Sequence, residues 1–244
     1  MEWTIIEWFK ELEFYKQILA GVISSIIATA IIATLSFALK KLLIRFFSNY
    51  VAILSGKIVR DIEKSNSLSA EETFKDSRDN KEYRIKKIGG QIWMAENLNY
   101  GGTNNNIGRY YDDNPDNGKK YGRLYTWEQA IEACPVGWHL PTNEEWQALI
   151  NFIGGDNIAG AKLKSKSDWK IGGTDDFLFS ALPGGLRFSS NGKFYNIGYK
   201  GVWWSATKIN NTKIYSRGID YDGIYVFKGK DDKDNLLSVR YIKD

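Results

Sequence analysis

One cysteine and one histidine are all that this 244-residue chain holds of those two residue types, and it has only four prolines. A single cysteine excludes an internal disulfide. It also excludes the cysteine-rich zinc sites. Net charge is scarce too, at +4. No helical stretch carries a dense lysine or arginine stripe, so the sequence shows no nucleic-acid footprint. The last absence is local: from Ile18 to Leu39, 22 residues pass without a charge.

That stretch, "ILAGVISSIIATAIIATLSFAL", ends at Lys40 and Lys41. A helix of this length spans roughly 33 Å, enough for a hydrocarbon core of about 30 Å. A buried core helix is rarely so long and uncharged. A cleaved signal peptide has a basic start and a shorter apolar core, whereas the first 16 residues here carry four Glu against two Lys. The sequence therefore predicts a single transmembrane helix over 18–39, after an amphipathic segment over 1–17. Helix can continue to about residue 60. Lys40, Lys41, Arg45, Lys57 and Arg60 follow the span, which places the C-terminal domain in the cytoplasm by the positive-inside rule. Gly21, Ser25, Thr29 and Ala33 recur every four residues on one face. Such small-residue faces let membrane helices approach closely, and they predict a homo-oligomer.

Abundance lies elsewhere: nine Trp, 14 Tyr and 23 Gly. Aromatic rings bury large areas, so they can build a core without long regular elements. A polar linker over 61–77 leads into this material, and the domain is assigned to 78–244. Tyr83 and Ile85 alternate, with Lys87 as a third candidate, before Gly89-Gly90 turns the chain into Ile92 and Met94, a hairpin pattern. The segment 99–122 is rich in Asn, Gly and Asp and reads as a long loop. Thr126 with Gln129, and Thr142 with Glu145, are capping boxes that start two helices. In the first, Trp127, Ala130 and Ile131 are expected to face one way, and Pro135 ends it. In the second, Trp146, Leu149, Ile150 and Ile153 form an apolar stripe that stops at Gly154-Gly155. After Phe177 there is no helical period. "GVWWSAT", "KIYSRGI", "GIYVF" and "LLSVRYI" read as strands. The class is α+β.

Several motifs occur in order: "YYDDNPDNGKKYGRLYTWEQAIEACPVGWHLPTNEEWQALI", "AGAKLKS", "FSALPGGLR", "GVWWSAT" and "SVRYIKD". Together they resemble the Fibrobacter succinogenes major paralogous domain, from about Phe74 to Asp244. The resemblance implies a C-type-lectin-like fold in the variety shared with formylglycine-generating enzymes, and a bacterial source. It also implies a second cysteine near the C-terminus, paired with the one at the end of the first helix. Tyr241 stands at that place, so Cys134 is left without a partner. A missing bridge fits a reducing cytoplasm and agrees with the charge flanks of the helix, although members of this family are often exported. The predicted location is the bacterial inner membrane.

"CPVGWHLPTNEEW" joins the cysteine and the histidine, which invites a thiol-enzyme reading. A nucleophile needs imidazole within hydrogen-bond reach of sulfur, but Pro135 and Gly137 intervene and Cys134 ends an apolar-faced helix. His139 is expected to pack near the turn, with the glutamates as caps. The copper site of the formylglycine-generating enzymes needs a cysteine pair that is not here. "DDNPDNG" at 112–118 imitates an EF-hand start, but its glycine is one place late and Arg123 stands where the bidentate Glu belongs. No catalytic residue, metal or cofactor is assigned.

The segment 191–234 mixes Tyr and Asn with Asp, Ser and Gly, the composition of adaptable recognition surfaces. Some domains of this resemblance are variable targets of diversity-generating retroelements, with ligand-contacting positions in the same region. The candidate ligand-binding residues are Asn196, Tyr199, Lys200, Lys208, Asn210, Asn211, Tyr215, Asp220, Tyr221 and Asp222. Trp203 and Trp204 are expected in the core. The function expected first is a membrane-anchored module that binds a protein or glycan. The alternative is an oligomerising membrane effector gated by the domain. An enzyme has support only from analogy of fold.

Overall fold

The computed structural model describes residues 17, 20–26, 41, 42, 44–46, 48, 51 and 72–244. The chain divides into two units, Met1–Asp61 and Ile62–Asp244. In the first, the described residues are helical and exposed. Among the described residues no helix is long and apolar enough to cross a membrane. Only 20–26 of the predicted 18–39 span are described. Gly21 lies in this helical stretch, and a Cβ added there would meet nothing within 4 Å. Ser25 lies there too, whereas Thr29 and Ala33 fall outside the described residues.

The second unit is α+β, with two five-stranded sheets. The first has the order β1-β2-β3-β10-β4. It is built from β1 (Glu72–Lys75), β2 (Glu82–Ile88), β3 (Gln91–Met94), β4 (Trp138–His139) and β10 (Ile242–Lys243). β1 pairs with β2 from Glu72↔Ile85 to Lys75↔Glu82, so the sheet begins inside the stretch expected to be linker. The second sheet, β6-β5-β7-β8-β9, contains β5 (Gly184–Arg187), β6 (Phe194–Ile197), β7 (Lys200–Lys208), β8 (Lys213–Asp220) and β9 (Phe227–Asp232). All its pairings are antiparallel except β5 with β7.

Among the described residues four α-helices and a 3-10 turn (Tyr111–Asp113) accompany the sheets: α1 (Pro115–Tyr121), α2 (Trp127–Glu132), α3 (Asn143–Ile153) and α4 (Asp156–Leu163). Both predicted capping boxes are formed, at Thr126/Gln129 and Thr142/Glu145. The expected long loop instead contains α1. Asn114 caps it by accepting from Asp116 N, and Pro115 opens it, where a missing N–H costs nothing. α4 follows the two helices expected from the sequence and is not itself expected from it; its apolar residues are spread around the axis rather than along one stripe. Ile131 points outward, not inward with Ala130. In β2 the alternation breaks: Lys86 is buried and Lys87 exposed. "GIYVF" contributes only Phe227 to a strand, and "LLSVRYI" crosses the core by isolated bridges and only its last residue enters β10.

Aromatic rings fill the core. Trp93 and Trp146 lie 4.6 Å apart between centroids, with Phe179 and Trp203 against them. Trp203 and Trp204 are buried as expected. A cation sits deep inside this core. Arg240 is fully buried, donates to the carbonyls of Phe179 and Ser180 and to Asn97 Oδ1, and stacks 4.3 Å from the Phe179 ring. Burial pushes its pKa down to about 9, against the pull of Asp175 and Glu96. Asn97 Oδ1 also accepts from Trp203 Nε1, so this cluster ties Trp203 of β7 to the chain entering β10.

Candidate recognition surface

The β7–β8 pairing sets the position of the surface tyrosines. Lys200 begins β7 and lies opposite Asp220, which ends β8. Their side chains form an ion pair at 2.9 Å. The residues just outside this pair, Tyr199 and Tyr221, are thereby brought together, and their rings meet edge to face at 5.3 Å. Lys170 Nζ lies over both rings, 5.8 Å from Tyr199 and 5.3 Å from Tyr221. An ammonium over two ring faces is attracted by both quadrupoles.

α4 holds the adjoining loop. Ala161 N donates to Ile224 O and Val226 N to Asp156 O, at 3.1 and 3.0 Å. Gly160 permits this approach, since a Cβ there would stand 2.5 Å from Tyr225 O. Lys164 is buried beneath and donates to Tyr221 O at 2.8 Å. Its burial lowers its pKa, while Asp222 and Asp220 oppose that shift. The loop so held, which starts at Tyr221, presents Ile224 and Tyr225, 59 and 46% exposed; Tyr199 is 48% exposed. Ile171, next to Lys170, is 56% exposed.

The structure therefore unites five predicted residues, Tyr199, Lys200, Asp220, Tyr221 and Asp222, at one end of the β7–β8 hairpin. Asn196 is close in the chain and shapes the turn: its φ is 66° and its carbonyl accepts from Tyr199 N. The others lie apart. Asn210 and Asn211 belong to the opposite turn of the hairpin, where Asn210 Oδ1 accepts from the N–H groups of Thr212 and Lys213. Lys208 lies 4.8 Å from the Trp127 ring centroid, and Tyr215 stands mid-strand under Lys228. Lys170, Ile171, Ile224 and Tyr225 were not legible as site residues. Their signal is exposed apolar residues in glycine-bounded loops, which becomes readable only once the loops are known to meet.

The cysteine and histidine are held separately. Cys134 Sγ donates to Trp138 O at 3.0 Å, and burial pushes the thiol pKa up to about 12. Tyr241 shares the core cluster that Cys134 packs against, and its hydroxyl donates to Ala130 O, so the tyrosine fills the space beside the unpaired cysteine. His139 is half-exposed rather than packed under the turn. Its ring nitrogens meet Asp244 Oδ1 at 2.7 Å and Glu145 Oε1 at 2.9 Å. The imidazole is thus engaged by two carboxylates and not by the thiol. In "DDNPDNG", Asp113 pairs with Arg109, Asn114 caps α1 and Asp116 pairs with Lys119. Among the described residues, no group of three or more His, Cys, Asp or Glu is placed to hold a metal ion.

The Fibrobacter succinogenes major domain matches residues 87–243. No curated protein and no solved structure matches the chain. The matched stretch contains α1 to α4, β3, β4 and β10 of the first sheet, the entire second sheet and the whole tyrosine surface, and on it the chain belongs to the Fibrobacter succinogenes major domain family.

Proposed function

We propose that this protein is a membrane-anchored recognition module. Its second unit, with a C-type-lectin-like arrangement, binds a protein ligand through the Tyr199–Tyr221 surface. The span 18–39 holds it at a bacterial inner membrane, with the second unit in the cytoplasm. The observation that carries the reading is the tyrosine pair under Lys170, flanked by exposed Ile224 and Tyr225. Rigid aromatic anchors beside aliphatic side chains, with a rim of charge, are what protein interfaces use for affinity. The aliphatic residues favour a protein over a glycan at this surface.

The test is crosslinking in cells that make the full chain, compared with Tyr199→Ala/Tyr221→Ala. A partner captured by the native chain and lost from the double variant is the expected result. An unchanged partner set refutes the site. A reporter fused after Asp244 tests the location, and display outside the inner membrane refutes the cytoplasmic placement. Assembly into a membrane effector is the second reading. It rests on Gly21 and the small residues spaced by four from it in the sequence, since small-residue faces let membrane helices approach closely. Gly21→Leu should then reduce self-association, and an unaltered oligomer in detergent counts against it.

A further inference from the structure

A concavity lies in the second unit, lined by none of the residues of the tyrosine surface. It holds about 540 Å³ and is lined by the start of β2, the segment after β3, the end of α1 and the loop 165–168. That volume is typical of sites for small organic ligands. Its wall is more polar than apolar, with Tyr83 and Leu182 as the large apolar side chains, and Tyr83 is itself buried. A hydrophobic ligand would find little to cover it.

The charges of the wall cancel in pairs. Lys120 meets Asp168 at 3.0 Å and Arg84 meets Glu96 at 3.4 Å. Lys119 is held by Asp116 at 2.7 Å. Among the described residues, Lys166 and Glu82 have no ion-pair partner, and they are opposite in sign. A polyanion would meet Glu82, Glu96 and Asp168, and a polycation would meet the lysines. Ammonium groups donate and carboxylates accept, so a ligand whose groups both donate and accept can satisfy each side. Two buried oxygens of wall residues, Asn99 Oδ1 and Ser165 Oγ, have no hydrogen-bond partner among the described residues. Unpaired buried polar atoms are rare in folded proteins, and two of them at one cavity single out that wall.

We infer that this cavity is a binding site for a neutral saccharide, separate from the tyrosine surface. Hydroxyl groups of the sugar donate to Asp168 and Glu82 and accept from Lys120 and Lys166. Ser167 lies within the same loop.

The experiment is calorimetric titration of the full chain with maltose, cellobiose and diacetylchitobiose, with inorganic phosphate and spermidine as charged probes. At least one disaccharide should bind with a Kd of about 1 mM or tighter. Asp168→Asn and Lys166→Ala should each weaken it by about tenfold, the size expected from losing one hydrogen bond to a charged group. Lys166 is exposed, so its variant keeps the fold even if Asp168→Asn does not. Tyr199→Ala/Tyr221→Ala should leave the affinity unchanged, which separates this site from the proposed protein surface. Three outcomes overturn the inference: no disaccharide binds, binding survives both cavity variants, or phosphate or spermidine displaces the sugar.

Discussion

His139 offers a quantitative test of how the C-terminal end is held. Replacing it with Asn keeps a hydrogen-bonding group but removes the charge that faces Glu145 and Asp244. Burial opposes protonation of this imidazole, but hydrogen bonds and attraction from Asp244 and Glu145 outweigh it, and the pKa rises above 6.5. A raised folded-state value means that the charged pair stabilises fully below the unfolded value of about 6.5 and fades as pH climbs through the folded value. Glu145 works in the other direction. Burial opposes its charge, but Thr142 N and His139 lower its pKa below 4.5, so its share is present above that value and lost on acidification. Both contributions coexist near pH 5 to 6.5. All three side chains are partly exposed, so each pair contributes only about 0.5–1 kcal/mol after solvent screening. His139→Asn should therefore cost about 1–2 kcal/mol at pH 6, a fall of roughly 3–6 °C in Tm for a domain of this size. The cap itself survives, since Thr142 Oγ1 still accepts from Glu145 N. Thermal melts of the two proteins between pH 5.5 and 9 provide the assay. The gap should narrow as pH rises. A gap that stays constant or widens would show that the ring acts by packing rather than by charge.

Other perturbations probe different links. Arg240→Met leaves the buried carbonyls of Phe179 and Ser180 without their donor. At about 1–3 kcal/mol per unpaired group, less the relief of a desolvated guanidinium, urea unfolding should show a loss of about 2–4 kcal/mol. Equal or greater stability would refute the assignment of Arg240 as the donor that satisfies this core. Gly160→Ala places a methyl group against Tyr225 O and should displace the 221–226 loop, weakening the proposed protein interface with little loss of the sheets. Unaltered binding would mean that the loop is not part of it. Cys134 should resist alkylation at pH 8 at least about a hundredfold more than an unfolded thiol, because the thiolate is scarce and the sulfur half-buried. Rapid labelling of the native chain contradicts the placement of Cys134.

What could be read in advance was local chemistry. Thr126 with Gln129 and Thr142 with Glu145 are three residues apart, and nothing distant is needed to form either cap. The Gly89-Gly90 turn is equally self-contained, and β2 and β3 pair across it from Ile88↔Gln91. The cue for α1 was also present, in Asn114 followed by Pro115, but Gly118 and the surrounding Asn residues argued for a loop. Gly118 is required for another reason, since a Cβ there would strike the Tyr110 ring. α4 was hidden because it is shaped by its neighbour: Gly160 interrupts the helix surface so that the 221–226 loop can lie on it. Strand β9 was displaced from expectation because its limits follow from pairing with β8, where Ile214 meets Asp231 and Gly218 meets Phe227. Such registers are not a property of either segment alone. The same holds for Arg217 and Arg240, basic residues buried by contacts distant in the chain.

The recognition surface shows why composition located the region but not the site. Tyr and Asn are dense on both sides of the β7–β8 hairpin, so density alone cannot distinguish its two ends. The register does. It places Lys200 against Asp220, and therefore Tyr199 beside Tyr221, while Asn210 and Asn211 are carried to the far turn. At the far turn the asparagine oxygen is already bonded to backbone N–H groups and serves the turn itself. At the near end Tyr199 remains exposed and Tyr221 partly so after the ion pair is made, and Lys170 comes over both rings from a loop some 30 residues before Tyr199. The core beneath is built chiefly by Trp203 and Ile219, which face inward from the same strands, with Tyr221 packed against its edge. Side chains at the near end can therefore change the ligand without changing the sheet, provided that Gly160 and Lys164 keep the loop in place.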